Sequence, residues 1–303
     1  MDAYDLLSLF CQSQMAKNRS PRTVEWYRAG VGRFLAWLRR RNLHNGNWLR
    51  PEVIEQYLAE DRAPAPAGDG NAPATVAGHY RALVGWFKWL VERGYLAASP
   101  MVQVAAPHVP RSEPRRTQLE EYVALLDAIP AGDWIDLRDR LIVQTLFLCG
   151  LRLGECARLT AEDYRTGDHL LRADGKTGLR LVPLLPAVER AFVAYLWMRP
   201  ESTAPELFLS STGGRQSRDQ AMQPKAIYLM LRRRCKAAGL RPLNPHSFRH
   251  GLAMYLLNEG GDMSLVQKVL GHAQISTTSR HYANWLSDGL QREFAEKMRG
   301  VGR

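Results

Sequence analysis

The sequence predicts a mainly α-helical protein of two domains, with one small β-hairpin or sheet confined to the second. Three observations carry that expectation. Apolar residues recur every three or four positions through most of the chain, the period of a helix with one buried face. Residues 169–184 (HLLRADGKTGLRLVPL) break the pattern, with two short extended runs around Asp174-Gly175-Lys176-Thr177-Gly178, a turn signal. Residues 104–116 (VAAPHVPRSEPRR) hold three prolines and three arginines without any period, which marks a linker. The 303 residues suffice for two cores. The expected domains are 1–105 and 117–303, joined by a basic linker at 106–116.

In the first domain, SPRTVEWYRAGVGRFLAWLRRRN begins with Ser20 as a cap and Pro21 at the first helical position. Val24, Tyr27, Val31, Phe34, Leu35 and Leu38 then form one stripe. RPEVIEQYLAED predicts the next helix, and the Pro-, Ala- and Gly-rich stretch at 62–73 stops it. Another helix runs from Ala74 to about Glu92, with Val76, Tyr80, Leu83, Val84, Phe87 and Leu90 as its apolar face. In the second domain helices are expected at 117–129, 136–149, 154–160, 186–198, 223–238, 245–259, 262–270 and 276–298.

Composition narrows the class. Apolar residues make up 46% and charged residues 23%, ordinary for a globular protein. No apolar run approaches the roughly 18 residues of a membrane span, since LIVQTLFLCGL at 141–151 is interrupted by Gln144. The N-terminus opens with acids rather than a basic signal-peptide region, so a cytoplasmic, nucleoid-associated protein is expected. Cys11, Cys149, Cys156 and Cys235 form no C-x-x-C pair, which argues against a zinc ribbon or disulfide framework. A net charge of +11 points to a polyanionic partner.

Residues 243–250 read LNPHSFRH. Asn244 suits an N-cap and Pro245 the first turn, which places His246 and Arg249 at i and i+3 near a helix N-terminus. Unpaired N–H groups and a partial positive charge at that end favour an anion. His246 and His250, at i and i+4, also have metal-pair spacing, but no Glu completes an H-E-x-x-H pattern and a cation would compete with Arg249. A basic surface helix packed through Phe248, Leu252, Tyr255 and Leu256 is the third reading. Downstream, GDMSLVQKVLGHAQISTTSRHYANW offers a short helix that Asp262 can cap and Gly271 can end. His272 follows, then a helix that Ser276 can cap and that carries Tyr282.

Five short motifs thus stand in order over 135 residues: LCGLRLGE (148–155), DGKTGLRLVPL (174–184), HSFRH (246–250), VLGH (269–272) and TTSRHY (277–282). In this order they resemble the tyrosine recombinases of the Xer and phage-integrase type. The helical first segment resembles that family's SAM-like core-binding domain, so the likeness spans nearly the whole chain. It implies a two-domain clamp on double-stranded DNA carrying a specific recombination site, with a mixed α/β catalytic domain at 117–303.

The resemblance also implies roles. Breaking a phosphodiester with a protein hydroxyl requires a nucleophile, cations on the non-bridging oxygens and an acid for the leaving 5′ oxygen. Tyr282 would form a 3′-phosphotyrosyl bond, Arg152 and Arg249 would clamp the phosphate, and Glu155 would buttress Arg152. Lys176 at the hairpin tip would protonate the leaving oxygen. His246 would accept or relay the tyrosine proton, and His272 would donate to the phosphate. No metal or nucleotide cofactor is expected, because the phosphotyrosyl bond conserves the energy of the broken one. Attack by a second strand's 5′ hydroxyl gives recombination through a Holliday junction and implies a homotetramer. SDGLQREFAEKMRG (287–300) would dock on a neighbouring subunit through Leu290, Phe294 and Met298, with packing on its own domain as the alternative.

Arg22, Arg28, Arg39, Arg40, Arg41, Arg111, Arg115, Arg116, Arg232, Arg233 and Arg234 are candidate DNA contacts. Two departures from the family pattern stand out. His281 lies at the common nine-residue spacing after His272, with Tyr282 tenth, and the hairpin is a residue short. A type IB topoisomerase and an inactive DNA-binding regulator are the competing functions. Integration, excision and resolution remain open as roles.

Overall fold

The computed structural model describes residues 2–43, 46–62, 71–110, 115–165, 167–175, 178–211, 219–260, 263–271, 294 and 296–299. It divides into two compact units, Met1–Ser112 and Glu113–Arg303. Each has a separate hydrophobic core.

Among its described residues the first unit holds four α-helices: α1 (Ala3–Ala16), α2 (Pro21–Arg40), α3 (Pro51–Arg62) and α4 (Pro73–Glu92). Ser20 caps α2, its Oγ accepting the Thr23 N–H at 3.2 Å, with Pro21 in the first turn where no N–H is needed. From the α2 stripe Val24, Val31, Phe34, Leu35 and Leu38 are buried, and Tyr27 is half-buried. The core is strongly aromatic, with Phe34 lying 5.1 Å from Tyr57 and Trp86 5.1 Å from Phe87 between ring centroids. Asp61 and His79 pair at 2.7 Å, fastening the end of α3 to α4.

The second unit is helical around one small sheet. Its elements are α5 (Leu119–Asp127), α6 (Trp134–Phe147), α7 (Leu153–Arg158), β1 (Tyr164–Arg165), β2 (Leu170–Gly175), β3 (Gly178–Pro183), α8 (Pro186–Met198), α9 (Pro224–Ala237), α10 (Pro245–Asn258) and α11 (Met263–Leu270). The strands pair antiparallel in the order β1-β2-β3, with Gly175 opposite Gly178 at the hairpin end. The sequence pattern does not anticipate β1, which has only two residues. α6 begins two residues before its expected start because Asp133 caps it, Oδ1 accepting the Asp136 N–H at 2.8 Å.

α6 is the central helix, with Leu141, Ile142, Val143, Leu146 and Phe147 fully buried. The start of the unit is stitched to α10: the Thr117 N–H donates to the Ser247 carbonyl at 2.9 Å, and their hydroxyls meet at 2.8 Å. A buried charge network holds α9 against α6. Arg138 donates to Asp139 and to the Leu209 carbonyl, while Arg234 bridges Asp136 and Asp139. All four cysteines are free and buried. Of the expected 276–298 helix, only Phe294 and Glu296–Met298 are described; Phe294 and Met298 are buried in their own unit's core, while Leu290 lies outside the described residues. Among the described residues no helix is long and apolar enough to cross a membrane.

Candidate active site

Three guanidinium groups gather around one carboxylate and a few backbone carbonyls. Arg152 stands at the N-cap of α7 and Glu155 at its third position. The Glu155 carboxylate accepts the Arg152 backbone N–H at 2.9 Å, as in a capping box, and the Arg152 guanidinium at 2.6 Å. A second arginine, Arg180 on β3, donates to the other carboxylate oxygen at 2.7 Å. The third, Arg249, lies one turn into α10, which Asn244 caps by accepting the Ser247 N–H at 2.9 Å. Arg249 is only 4% exposed.

Backbone carbonyls complete the cluster. Arg249 donates to Gly150 at 2.6 Å and to Leu270. Arg152 reaches the Gly271 carbonyl at 3.3 Å, and Arg180 reaches Gly150 at 3.3 Å. Gly150 has a left-handed φ of +57°, and a Cβ there would lie 2.5 Å from Leu270 and 3.0 Å from Leu252. At Gly175 a Cβ would collide with the Glu155 carboxylate, so the hairpin backbone closes directly over that acid.

Among the described residues charge is unbalanced here, with three guanidiniums against one acid. Burial, and then the charges of Arg180 and Arg152, push Arg249 down to about 9, which still leaves it a cation at neutral pH. Burial would raise Glu155, but Arg180 and the hydrogen bonds from Arg152 prevail and hold it below its ordinary value. A buried cation is costly unless its donors are satisfied, and here the Gly150 and Leu270 carbonyls satisfy Arg249 where no described acid pairs with it.

His246 is exposed and Arg249 buried, so the i, i+3 pair divides between solvent and interior. The rings of His246 and His250 lie 5.0 Å apart. His250 is pushed below its ordinary value by burial, then by His246 and Arg249. Lys176, His272, Tyr282 and Arg111 lie outside the described residues. Among the described residues, Gly175 abuts Glu155, and the Leu270 and Gly271 carbonyls receive Arg249 and Arg152.

Of the basic candidates, Arg22, Arg39, Arg40, Arg115 and Arg116 are exposed. Arg28 is paired with Glu25 at 3.3 Å, and Arg41 with Glu60 at 2.6 Å. The 232–234 triplet splits. Arg234 is held by Asp136 and Asp139, whereas Arg232 and Arg233 line a groove of about 510 Å³ with Lys236, Ser210 and Ser211.

Arg180 is the site residue that sequence reading misses. Its signal is an inversion of polarity along β3. Leu179 is 58% exposed while the Arg180 side chain is 10% exposed, on the same face of the strand as buried Val182.

The site thus lies in a helical unit with a short antiparallel sheet, where Arg152 and Arg180, from separate motifs, share one buried carboxylate. The profile of the phage integrase family matches residues 115–287. The chain is 34% identical over 278 residues to tyrosine recombinase XerC of Rhodospirillum centenum, covering 88% of this chain and 78% of that protein. It is 31% identical over 284 residues to tyrosine recombinase XerD of Corynebacterium glutamicum, covering 90% of each. The Tn1549 transposon integrase, solved in complex with transposon right end DNA, shares the fold with a TM-score of 0.69 at 19% identity, over 94% of this chain and 98% of that one. The chain belongs to the phage integrase family, among the Xer-type tyrosine recombinases, which are enzymes of site-specific DNA recombination.

Proposed function

We propose that the protein cleaves and rejoins DNA strands at a specific site through a 3′-phosphotyrosyl intermediate. The observation that carries the reading is the convergence of Arg152 and Arg249 on the carbonyls of residues 270 and 271, directly before His272. The Tyr282 hydroxyl oxygen attacks the phosphorus as its proton passes to His246. The bond to the 5′ oxygen breaks, and that oxygen takes a proton from Lys176. Arg152, Arg249 and His272 hold the non-bridging oxygens, whose charge grows in the transition state.

The phosphotyrosyl bond keeps the energy of the phosphodiester, so a 5′ hydroxyl from a second duplex reverses the step onto a new partner. Two duplexes exchanged through a Holliday junction call for four protomers. The core that receives Phe294 and Met298 within one chain would receive the same residues of a neighbour. The working compartment would be the DNA-containing cytoplasm.

Nicked suicide duplexes drawn from DNA flanking the gene test the reading in EDTA. A covalent protein–DNA adduct lost with Tyr282→Phe and kept with His281→Ala supports it. An adduct lost with His281→Ala but kept with Tyr282→Phe would transfer the nucleophile to the nine-residue position. Exchanged rather than merely relaxed products separate recombination from topoisomerase action.

A further inference from the structure

We infer that Arg180 is a positioning residue for strand cleavage, setting the two clamp arginines in register by sharing an acceptor with each of them. The inference rests on the proposed cleavage reaction. Glu155 accepts Arg152 at 2.6 Å on one oxygen and Arg180 at 2.7 Å on the other. The Gly150 carbonyl accepts Arg249 at 2.6 Å and Arg180 at 3.3 Å. One planar fork therefore spans the two acceptors that orient the two clamp groups, which come from α7 and α10. Its own strand, β3, leads directly from the hairpin that carries Lys176. Arg180 is thus the described side chain that links all three motifs.

The geometry demands an arginine. Two acceptors on different elements need two donors held in a fixed plane, which a guanidinium supplies and an ammonium does not. The site retains Arg180 although it is expensive there. It is nearly buried, crowds Arg249 with like charge, and keeps a buried Nε with no hydrogen-bond partner among the described residues. A purely structural Glu155 partner could be had without a third cation, because Arg152 already pairs with that acid. Crowding positive charge beside Arg249 strengthens the pocket's hold on charge that grows on a phosphate, since the unbalanced cluster is relieved only when an anion arrives. Both terminal nitrogens of Arg180 are taken by protein acceptors, Glu155 and the Gly150 carbonyl, so its effect is expected on the rate of cleavage and not on DNA affinity.

The test compares full-length wild type, Arg180→Met, Arg180→Lys and Arg249→Ala. Three readouts are taken: duplex affinity by fluorescence anisotropy, single-turnover adduct formation at saturating protein, and melting temperature. Arg180→Met is expected to bind duplex within threefold of wild type and to form adduct about 100-fold more slowly, the cost of a small misplacement of catalytic groups. Arg180→Lys is expected to restore the melting temperature but recover less than a tenth of the lost rate, because it replaces the charge and not the fork. If Arg180→Met does not fold, Arg180→Lys alone decides. A lysine variant that cleaves at the wild-type rate overturns the inference, as does a folded methionine variant within threefold of wild type. Wild type that forms no adduct at all overturns the proposed function and this inference with it; wild type active, Arg249→Ala inactive and Arg180→Met active would overturn the inference alone.

Discussion

At the scale of single residues, Glu155 carries the most consequence for stability. Among the described residues its carboxylate is the one acid against three guanidiniums, and it is almost wholly buried. Glu155→Gln leaves Arg180 as an uncompensated buried cation, and removing one partner of a buried pair costs about 3–5 kcal/mol. Urea unfolding of the variant reads that loss as a lower midpoint for the second unit's transition, with an unchanged slope. The pH dependence follows from the direction of the Glu155 shift. Its pKa is lower folded than unfolded, so the stabilisation is complete above the unfolded value of about 4.3 and is lost as pH falls through the lower folded value. The Glu155→Gln variant should therefore show a shallower loss of stability with acid than wild type below about pH 4.3. Gly175→Ala attacks the same acid from the hairpin. The added methyl forces Glu155 or the β2 backbone to move, with an expected cost of about 1–3 kcal/mol and a fall in adduct formation. Wild-type cleavage by this variant would show that the hairpin does not bear on Glu155 in the working enzyme.

At the scale of elements, the arginine triplet of α9 makes a divided prediction. Arg234→Met strips a donor from Asp136 and Asp139 and should cost about 1.5–3 kcal/mol. Arg232→Gln and Arg233→Gln, on the open groove, should leave stability within about 0.5 kcal/mol and instead weaken DNA binding, each lowering the salt slope by about 1. Equal loss of DNA affinity from all three, with no loss of stability at Arg234, would reject the division. The same triplet shows what a sequence discloses. Three adjacent arginines read alike until the acids on α6, about 95 positions earlier, are brought beside one of them. Local signals fared differently: Ser20 with Pro21, Asn244 with Pro245, and the Asp174 to Gly178 turn act within a few residues, and α2, α10 and the β2-β3 hairpin lie where those signals put them. β1 was hidden because its two residues form a strand only by pairing with Leu170 and Leu171. Arg180 was hidden because a strand arginine is ordinarily turned to solvent, and its inward turn depends on Glu155 and Gly150, which reach it only in the folded unit.

At the scale of the whole molecule, the separate cores and the surplus of positive charge have different consequences. Each unit contains a full set of buried aromatic and aliphatic residues, so calorimetry of the intact chain should resolve two transitions rather than one. Phe294 and Met298 belong to the second core, and truncation before residue 287 should lower only the transition of that unit. The net charge of +11 is a statement about DNA rather than about folding. Exposed Arg22, Arg39, Arg40, Arg115 and Arg116, with Arg232 and Arg233, can neutralise phosphates, whereas Arg28, Arg41 and Arg234 already have carboxylate partners. Each neutralised phosphate releases a counterion and contributes about −0.9 to the slope of log affinity against log salt. Six or so such contacts give a slope near −5, which means a loss of about 1,000-fold between 50 and 200 mM salt. Anisotropy titrations of a fixed duplex across that range measure the slope directly. A value shallower than about −2 would mean that the basic surface is not where DNA lies, and that the paired arginines, freed from their acids on binding, are the groups to substitute next.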